Sequence, residues 1–243
     1  MTDPIRRDSA ASPSARAEGR VAGVYYLLNT LTILAAVALM RGVVVRGDPS
    51  VTATNLLANH LRYQAGWALE VLSTACSLGV AAYFYRLFVP VSRGLSLLAT
   101  CLRVIACAVA MVGYLAQAAP IQILSAGRDL GALSSDQLHA IAYLPFRVSG
   151  LASNLVIVVF GLHFVALGVL IYRSTFLPRA LGVLVVVAGV GALTYLAPSL
   201  TSARVVLPLG FAAEASITVW LLTVGVNERR WWEREGRQLM RPA

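Results

Sequence analysis

The 243-residue chain has no lysine; all 20 of its basic residues are arginine, set against 11 acidic ones. Charged residues make up only 13% of the chain, where a soluble domain carries about 25%. That scarcity excludes an ordinary cytosolic enzyme. Histidine and cysteine are equally sparse. The three cysteines, Cys76, Cys101 and Cys107, lie inside apolar segments with no CxxC spacing, which supports neither disulfide exchange nor a thiolate metal site. His60 and His139 fall in connecting segments and His163 stands alone in an apolar run, so no paired-histidine haem site or histidine-rich zinc site follows. There is no glycine-rich phosphate loop. No catalytic residue, metal or cofactor is assigned.

What is present is apolar length. Hydrophobic residues reach 58% and mean hydropathy is +0.73. The net charge of +9 would suit a nucleic-acid partner, but this composition argues against one. A bilayer core of about 30 Å takes roughly 20 apolar residues as a helix. Six such runs occur, at about 21–40, 63–89, 94–124, 148–172, 177–196 and 205–226. Membrane barrels show alternating ten-residue strands instead. The chain therefore reads as an all-α, polytopic membrane protein, a six-helix transmembrane bundle occupying 19–227. Residues 1–18, rich in Ser, Ala and charge, read as a disordered tail, and 228–243 as a basic tail. Ala36-Val37-Ala38 resembles a signal cleavage site, but the apolar run before it is longer than a typical h-region.

Arginine placement sets the orientation, because basic residues are retained on the cytoplasmic side. One face collects 13 arginines from both tails and two short turns, and the other face has six. Both termini are expected in the cytoplasm. Trp231 and Trp232, beside Arg229 and Arg230, read as an interfacial aromatic belt or anchor at the inner leaflet. In the long loop at 125–147, Ser134 with Gln137 forms a capping-box pattern, predicting a short interfacial helix ahead of the fourth span. Gly19-x-x-x-Gly23, Gly182, Gly189 and Gly191 suit close helix contact.

Charge is costly inside a bilayer, at least about 2.5–3.5 kcal/mol per residue by insertion scales, so ionisable residues there are functional candidates. Four occur: Glu70, Arg103, His163 and Glu214. Helical spacing puts Arg103, Cys107, Ala110, Tyr114 and Gln117 on one stripe, and Glu70 with Ser73, Thr74 and Ser77. His163 shares a face with Ser149, Glu214 with Thr218, and the first span adds Tyr25, Tyr26, Asn29 and Thr32. The cluster is thus Glu70, Arg103, His163 and Glu214, with Asn29, Ser73, Ser77, Tyr114, Ser149 and Thr218 as lining. The charges suggest Arg103 paired with Glu70, leaving Glu214 near His163. Four readings stay open: structural ties, an outward-facing site for a small solute or lipid headgroup, proton-coupled movement, and catalysis, which no accompanying nucleophile or metal set supports. Beyond membrane lipids and such a ligand, the sequence points to no protein partner.

Several segments carry a resemblance. Tyr85-Arg86-Leu87, Pro90-Val91-Ser92-Arg93, Leu102-Arg103, Phe160-Gly161-Leu162-His163 to Gly168, Tyr172-Arg173-Ser174, Phe176-Leu177-Pro178-Arg179 with Leu181-Gly182, and Glu214 through Trp220-Leu221-Leu222 to Gly225-Val226 are similar to a bacterial family of integral membrane proteins, domain of unknown function 4386, over about 18–227. The resemblance implies a helical bundle in the bacterial cytoplasmic membrane and no established activity. It includes Glu70, Arg103, His163 and Glu214 without giving them a role. The arginine-only, Ala/Val-rich composition suggests a GC-rich bacterial genome.

Overall fold

The computed structural model describes residues 14–130, 133–197 and 203–239. Most of the N-terminal tail, residues 131–132, 198–202 (with Pro198) and 240–243 lie outside the described residues. The described elements are helical: α1 (Ala15–Met40), α2 (Pro49–Ala58), α3 (His60–Phe88), α4 (Arg93–Leu130), α5 (Ser135–Arg173), α6 (Arg179–Leu193) continued by a 3-10 turn (Thr194–Leu196), α7 (Ala203–Thr223) and α8 (Glu228–Leu239). Six of them, α1 and α3 to α7, are long and apolar enough to cross a membrane. Each carries large apolar residues outward, among them Leu31, Leu72, Leu115, Leu151, Val187 and Val219. Water would not tolerate such a belt and hydrocarbon does.

The six spans form a ring. Each packs against the next in sequence and α7 closes against α1, so buried residues of all six converge on one interior. Glycines set two of these contacts. On α1, a Cβ at Gly19 would lie 2.7 Å from a Val226 methyl, and one at Gly23 3.1 Å from Leu221 and Leu222 of α7. Between α5 and α6 the approach is backbone to backbone: a Cβ at Gly189 would meet the Gly161 carbonyl at 2.7 Å, and one at Gly182 the Gly168 carbonyl at 2.8 Å. Small residues let membrane helices come this close. Gly191 differs, since a Cβ there meets nothing nearer than 3.8 Å.

Several boundaries differ from the sequence expectation. Helix α1 begins at Ala15, inside the segment expected to be disordered, because the Ser14 hydroxyl accepts from the Ala17 amide and Glu18 is buried in an ion pair with Arg86 of α3. The capping box at Ser134 and Gln137 forms, with both reciprocal bonds present. However, no separate interfacial helix follows it. The helix runs unbroken through Pro145 into the membrane for 39 residues. Membrane helices tolerate a proline where neighbours resatisfy the freed carbonyl, and here Leu138 and Ala142 are held against Leu124 of α4 and Leu56 of α2. With 38 residues in α4, the α4–α5 hairpin is ~57 Å long at about 1.5 Å per residue and projects well past a ~30 Å bilayer core. Helix α2, capped by Asp48 with Pro49 at its first position, packs against this projection.

At the opposite end the chain termini meet. The Arg16 amide donates to Glu228 at 3.3 Å, which places the start of α1 beside α8. The basic tail is a docked helix through Leu239. The two tryptophans divide: Trp231 is 8% exposed and donates to the Leu87 carbonyl at 3.0 Å, whereas Trp232 is 49% exposed. Trp231 is thus a tertiary tie and Trp232 alone retains a belt-like position. This is the terminal end of the bundle, and the opposite one, with α2 and the α4–α5 projection, is the loop end.

Candidate functional site

Arg103 is the largest fully buried side chain among the described residues, 0% exposed. Its Nε donates to the Ser77 carbonyl at 3.1 Å and hydroxyl at 3.0 Å. Nη1 donates to the Tyr26 hydroxyl at 3.0 Å and meets His163 Nε2 at 3.3 Å. The guanidinium also lies 4.8 Å from the Tyr26 ring centre and 5.4 Å from that of Phe160. One residue of α4 therefore joins α1, α3 and α5. Arginine suits this role because its planar fork carries five donors and stacks on aromatic faces.

Hydrogen-bond chemistry settles the His163 tautomer. Its Nδ1 sits 2.8 Å from the Ala99 carbonyl, which can only accept, so Nδ1 carries the hydrogen. Its Nε2 faces a guanidinium, which can only donate, so Nε2 is the acceptor. In this arrangement His163 is a neutral acceptor for Arg103 and positions it.

The acid beside Arg103 is Glu214, which stands within interaction range of both the guanidinium and the Tyr26 hydroxyl. Helix α1 brings this about. Gly19, Gly23 and Tyr26 share one face, and that face packs on α7, so Tyr26 lies between Arg103 and Glu214. The expected pairing of Arg103 with Glu70 is not what forms. Glu70 lies seven residues before Ser77, ~10 Å further toward the loop end at about 1.5 Å per residue. There it meets the Gln117 side chain, near Tyr63 and Tyr114. Among the described residues no ion pair joins Arg103 to either acid, and Arg103 Nη2 and Glu70 Oε2 are each buried without a hydrogen-bond partner. In place of one cluster there are two polar centres, at different depths.

Above the Arg103 network lies a cavity of about 290 Å³ to which all six spans contribute. Each helix enters it on the loop-end side of the network, from Asn29 to Ile33 on α1, from Cys107 to Tyr114 on α4 and from Glu214 back to Val206 on α7. One wall is polar, with Asn29, Ser73, Thr74, Ser77 and Tyr114; the other is apolar, with Val156, Ile157, Phe160, Phe164, Val206, Leu207 and Phe211, and Glu214 is set into it. Ser73 donates to the Asn29 side chain at 3.0 Å, tying the polar wall across α1 and α3. Toward the terminal end, apolar side chains close the interior. Phe84, Phe88, Leu167 and Leu170 surround a void of about 10 Å³ under His163, room for roughly one water.

Of the residues singled out by sequence, Asn29, Ser73, Ser77, Tyr114 and Glu214 line the cavity, and Arg103 and His163 lie behind its wall. Glu70, Ser149 and Thr218 are not among the lining residues. Thr218 returns its hydroxyl to the Glu214 carbonyl of its own helix at 2.8 Å. Ser149 is buried beside Gly113 where α5 meets α4. The sequence places Tyr26 among the polar residues of the first span, and the packing makes it the link from Arg103 to Glu214. The signal was available in the Gly19-Gly23-Tyr26 spacing. The apolar wall had no such signal, since its residues look like those facing lipid.

A family model for a domain of unknown function, DUF4386, matches residues 21–225. The chain belongs to the DUF4386 family. The match takes in all six spans of the ring and stops before α8, so the Arg103 network and the cavity belong to the DUF4386 part of the chain. No curated protein and no solved structure matches it.

Proposed function

We propose that this multi-pass membrane protein binds, and carries across or within the bilayer, a small amphipathic molecule such as a small solute or a lipid headgroup. The observation that carries the reading is the cavity: about 290 Å³, just below the roughly 300–1,000 Å³ of small-molecule sites, built by all six spans, polar on one wall and closed toward the terminal end. Glu214 is the charged group facing the ligand. Arg103, Tyr26 and His163 are positioning residues that hold Glu214 and the cavity floor. The arginine distribution supports cytoplasmic termini in a bacterial inner membrane, which puts the cavity on the external side of the Arg103 network.

Gly210 offers the test. It lines the cavity, and a Cβ added there meets nothing within 4 Å. Gly210→Leu fills the space while improving helix propensity by roughly 0.8–1 kcal/mol. The expected outcome is undiminished folded yield with loss of any small molecule that copurifies with the wild-type protein, read by mass spectrometry of the extracted complex. A wild-type protein that carries nothing, or a variant that retains the same molecule, refutes the reading. The competing reading is that the network only ties helices together. It is favoured by one fact: Arg103 spends its bonds on three neighbouring helices and does not line the cavity.

A further inference from the structure

The terminal end holds a second cleft, separate from the cavity, whose charged residues Arg16, Glu228, Arg229 and Arg230 lie outside the 21–225 span matched by the family. Its volume is about 540 Å³ and it lies where α7 ends and α8 begins, against the turn between α5 and α6. Arg16, Arg229 and Arg230 line it, opposed by Glu228; Arg229 is paired with Glu233 of its own helix at 3.3 Å, which leaves Arg16 and Arg230 as the two cations for a ligand. Glu228 is already engaged, accepting from the Arg16 amide at 3.3 Å and bonded by the Ser14 hydroxyl. Arg230 spends one Nη1 donor on the Thr175 carbonyl at 3.1 Å, which anchors the side chain to the α5–α6 turn at the cleft.

Two further observations indicate the occupant. Trp220 lines the cleft, and its indole Nε1 is buried without a partner; a tryptophan donor at a membrane boundary ordinarily finds one. From the same cleft, an exposed apolar flank runs into the membrane zone, from Val224 just past α7, 53% exposed, to Val219 of α7, 59% exposed. A ligand that satisfies both features has an anionic, hydrogen-bond-accepting head and apolar chains. Free phosphate matches the arginines but makes no use of the flank. We propose that this cleft is a site for the phosphodiester headgroup of an anionic phospholipid, with the arginines around the phosphate, Trp220 donating to a headgroup or ester oxygen, and the acyl chains along α7.

The test uses the full-length protein in detergent and native mass spectrometry with phosphatidylglycerol or phosphatidylcholine added in turn. At about 1 kcal/mol per arginine near an anionic lipid surface, two arginines predict a preference of roughly 10- to 30-fold for the first phosphatidylglycerol. The double substitution Arg16→Gln with Arg230→Gln removes that preference. Because loss of Arg230 also loosens the Thr175 contact, Trp220→Phe is the second variant. It keeps the ring and removes only the donor, and it lowers phosphatidylglycerol retention several-fold at unchanged melting temperature. Equal retention of the two lipids by the wild type, or undiminished preference in both variants, overturns the proposal. So does inorganic phosphate that binds as tightly as the lipid, which would mark the cleft as a soluble-anion site.

Discussion

Replacing Arg103 by glutamine separates the two acids. The guanidinium contacts Ser77, Tyr26 and His163 and is 0% exposed. Interhelical hydrogen bonds in membranes measure about 0.6 kcal/mol each on average, so those three partners account for only ~2 kcal/mol. The larger effect is electrostatic: removing one member of a buried charged set leaves the other uncompensated, at about 3–5 kcal/mol. Glu214 is the acid within range of Arg103. Adding Glu214→Gln should therefore restore ~1.5–3 kcal/mol, a coupling typical of residues in one network, equivalent to roughly 10- to 150-fold in the folded-to-unfolded ratio. Adding Glu70→Gln should restore nothing, its effect summing with that of Arg103→Gln to within about 0.5 kcal/mol. Reversible unfolding in mixed micelles, followed by tryptophan fluorescence, reads the three single and two double variants. Rescue by Glu70→Gln equal to or greater than that by Glu214→Gln refutes the assignment of partners.

Gly189→Val should abolish folded yield in detergent, since its Cβ would sit 2.7 Å from the Gly161 carbonyl and 2.8 Å from the Val165 amide, whereas Gly191→Ala should be tolerated; fluorescence-detected size exclusion distinguishes them. Trp231→Phe removes the bond to the Leu87 carbonyl, worth about 0.5–1.5 kcal/mol, and should raise the rate of limited proteolysis across 228–239 while leaving the transmembrane fragment intact. Glu228 is held below the usual carboxylate range by the Ser14 hydroxyl and the Arg16 amide. A depressed folded pKa means that its link between α8 and the start of α1 is fully present above the ordinary glutamate value of about 4.3 and is lost as pH falls below it. The protection of the Arg16 amide, its exchange rate relative to the intrinsic rate at each pH, should fall on acidification, and Glu228→Gln should flatten that dependence.

Much of the fold is legible in the chain itself because a bilayer imposes length and polarity on every segment separately. The six apolar runs became six spans, and glycine patterns such as Gly19-Gly23 became close contacts. The structure departs from the sequence expectation where the outcome depends on a neighbour. Ser134 caps a helix as its spacing implied, yet that helix does not stop before the membrane, because α4 and α2 support it past Pro145. Asp48-Pro49 is an N-terminal signature that was available and marks α2. Residues 14–18 are helical because Glu18 finds Arg86 in another span.

The candidate site shows the same division. Scarcity of charge within apolar runs isolated Glu70, Arg103, His163 and Glu214 without any structure, because charge in hydrocarbon is costly wherever it occurs along a helix. Which acid answers the arginine was a different matter. Residue counts from the helix ends, at about 1.5 Å per residue, put all four between the midplane and one half of the membrane, a spread that a single cluster could contain, but helix rotation and the order of spans around the ring decide contact. Only the tertiary structure brought Tyr26 between Arg103 and Glu214 and left Glu70 with Gln117. The sequence by itself determined that the chain enters a membrane, how many times, and which side chains must be shielded there. The packing of six helices decided what shields them, since a pairing depends on the rotation of two helices at once and neither sequence specifies that alone.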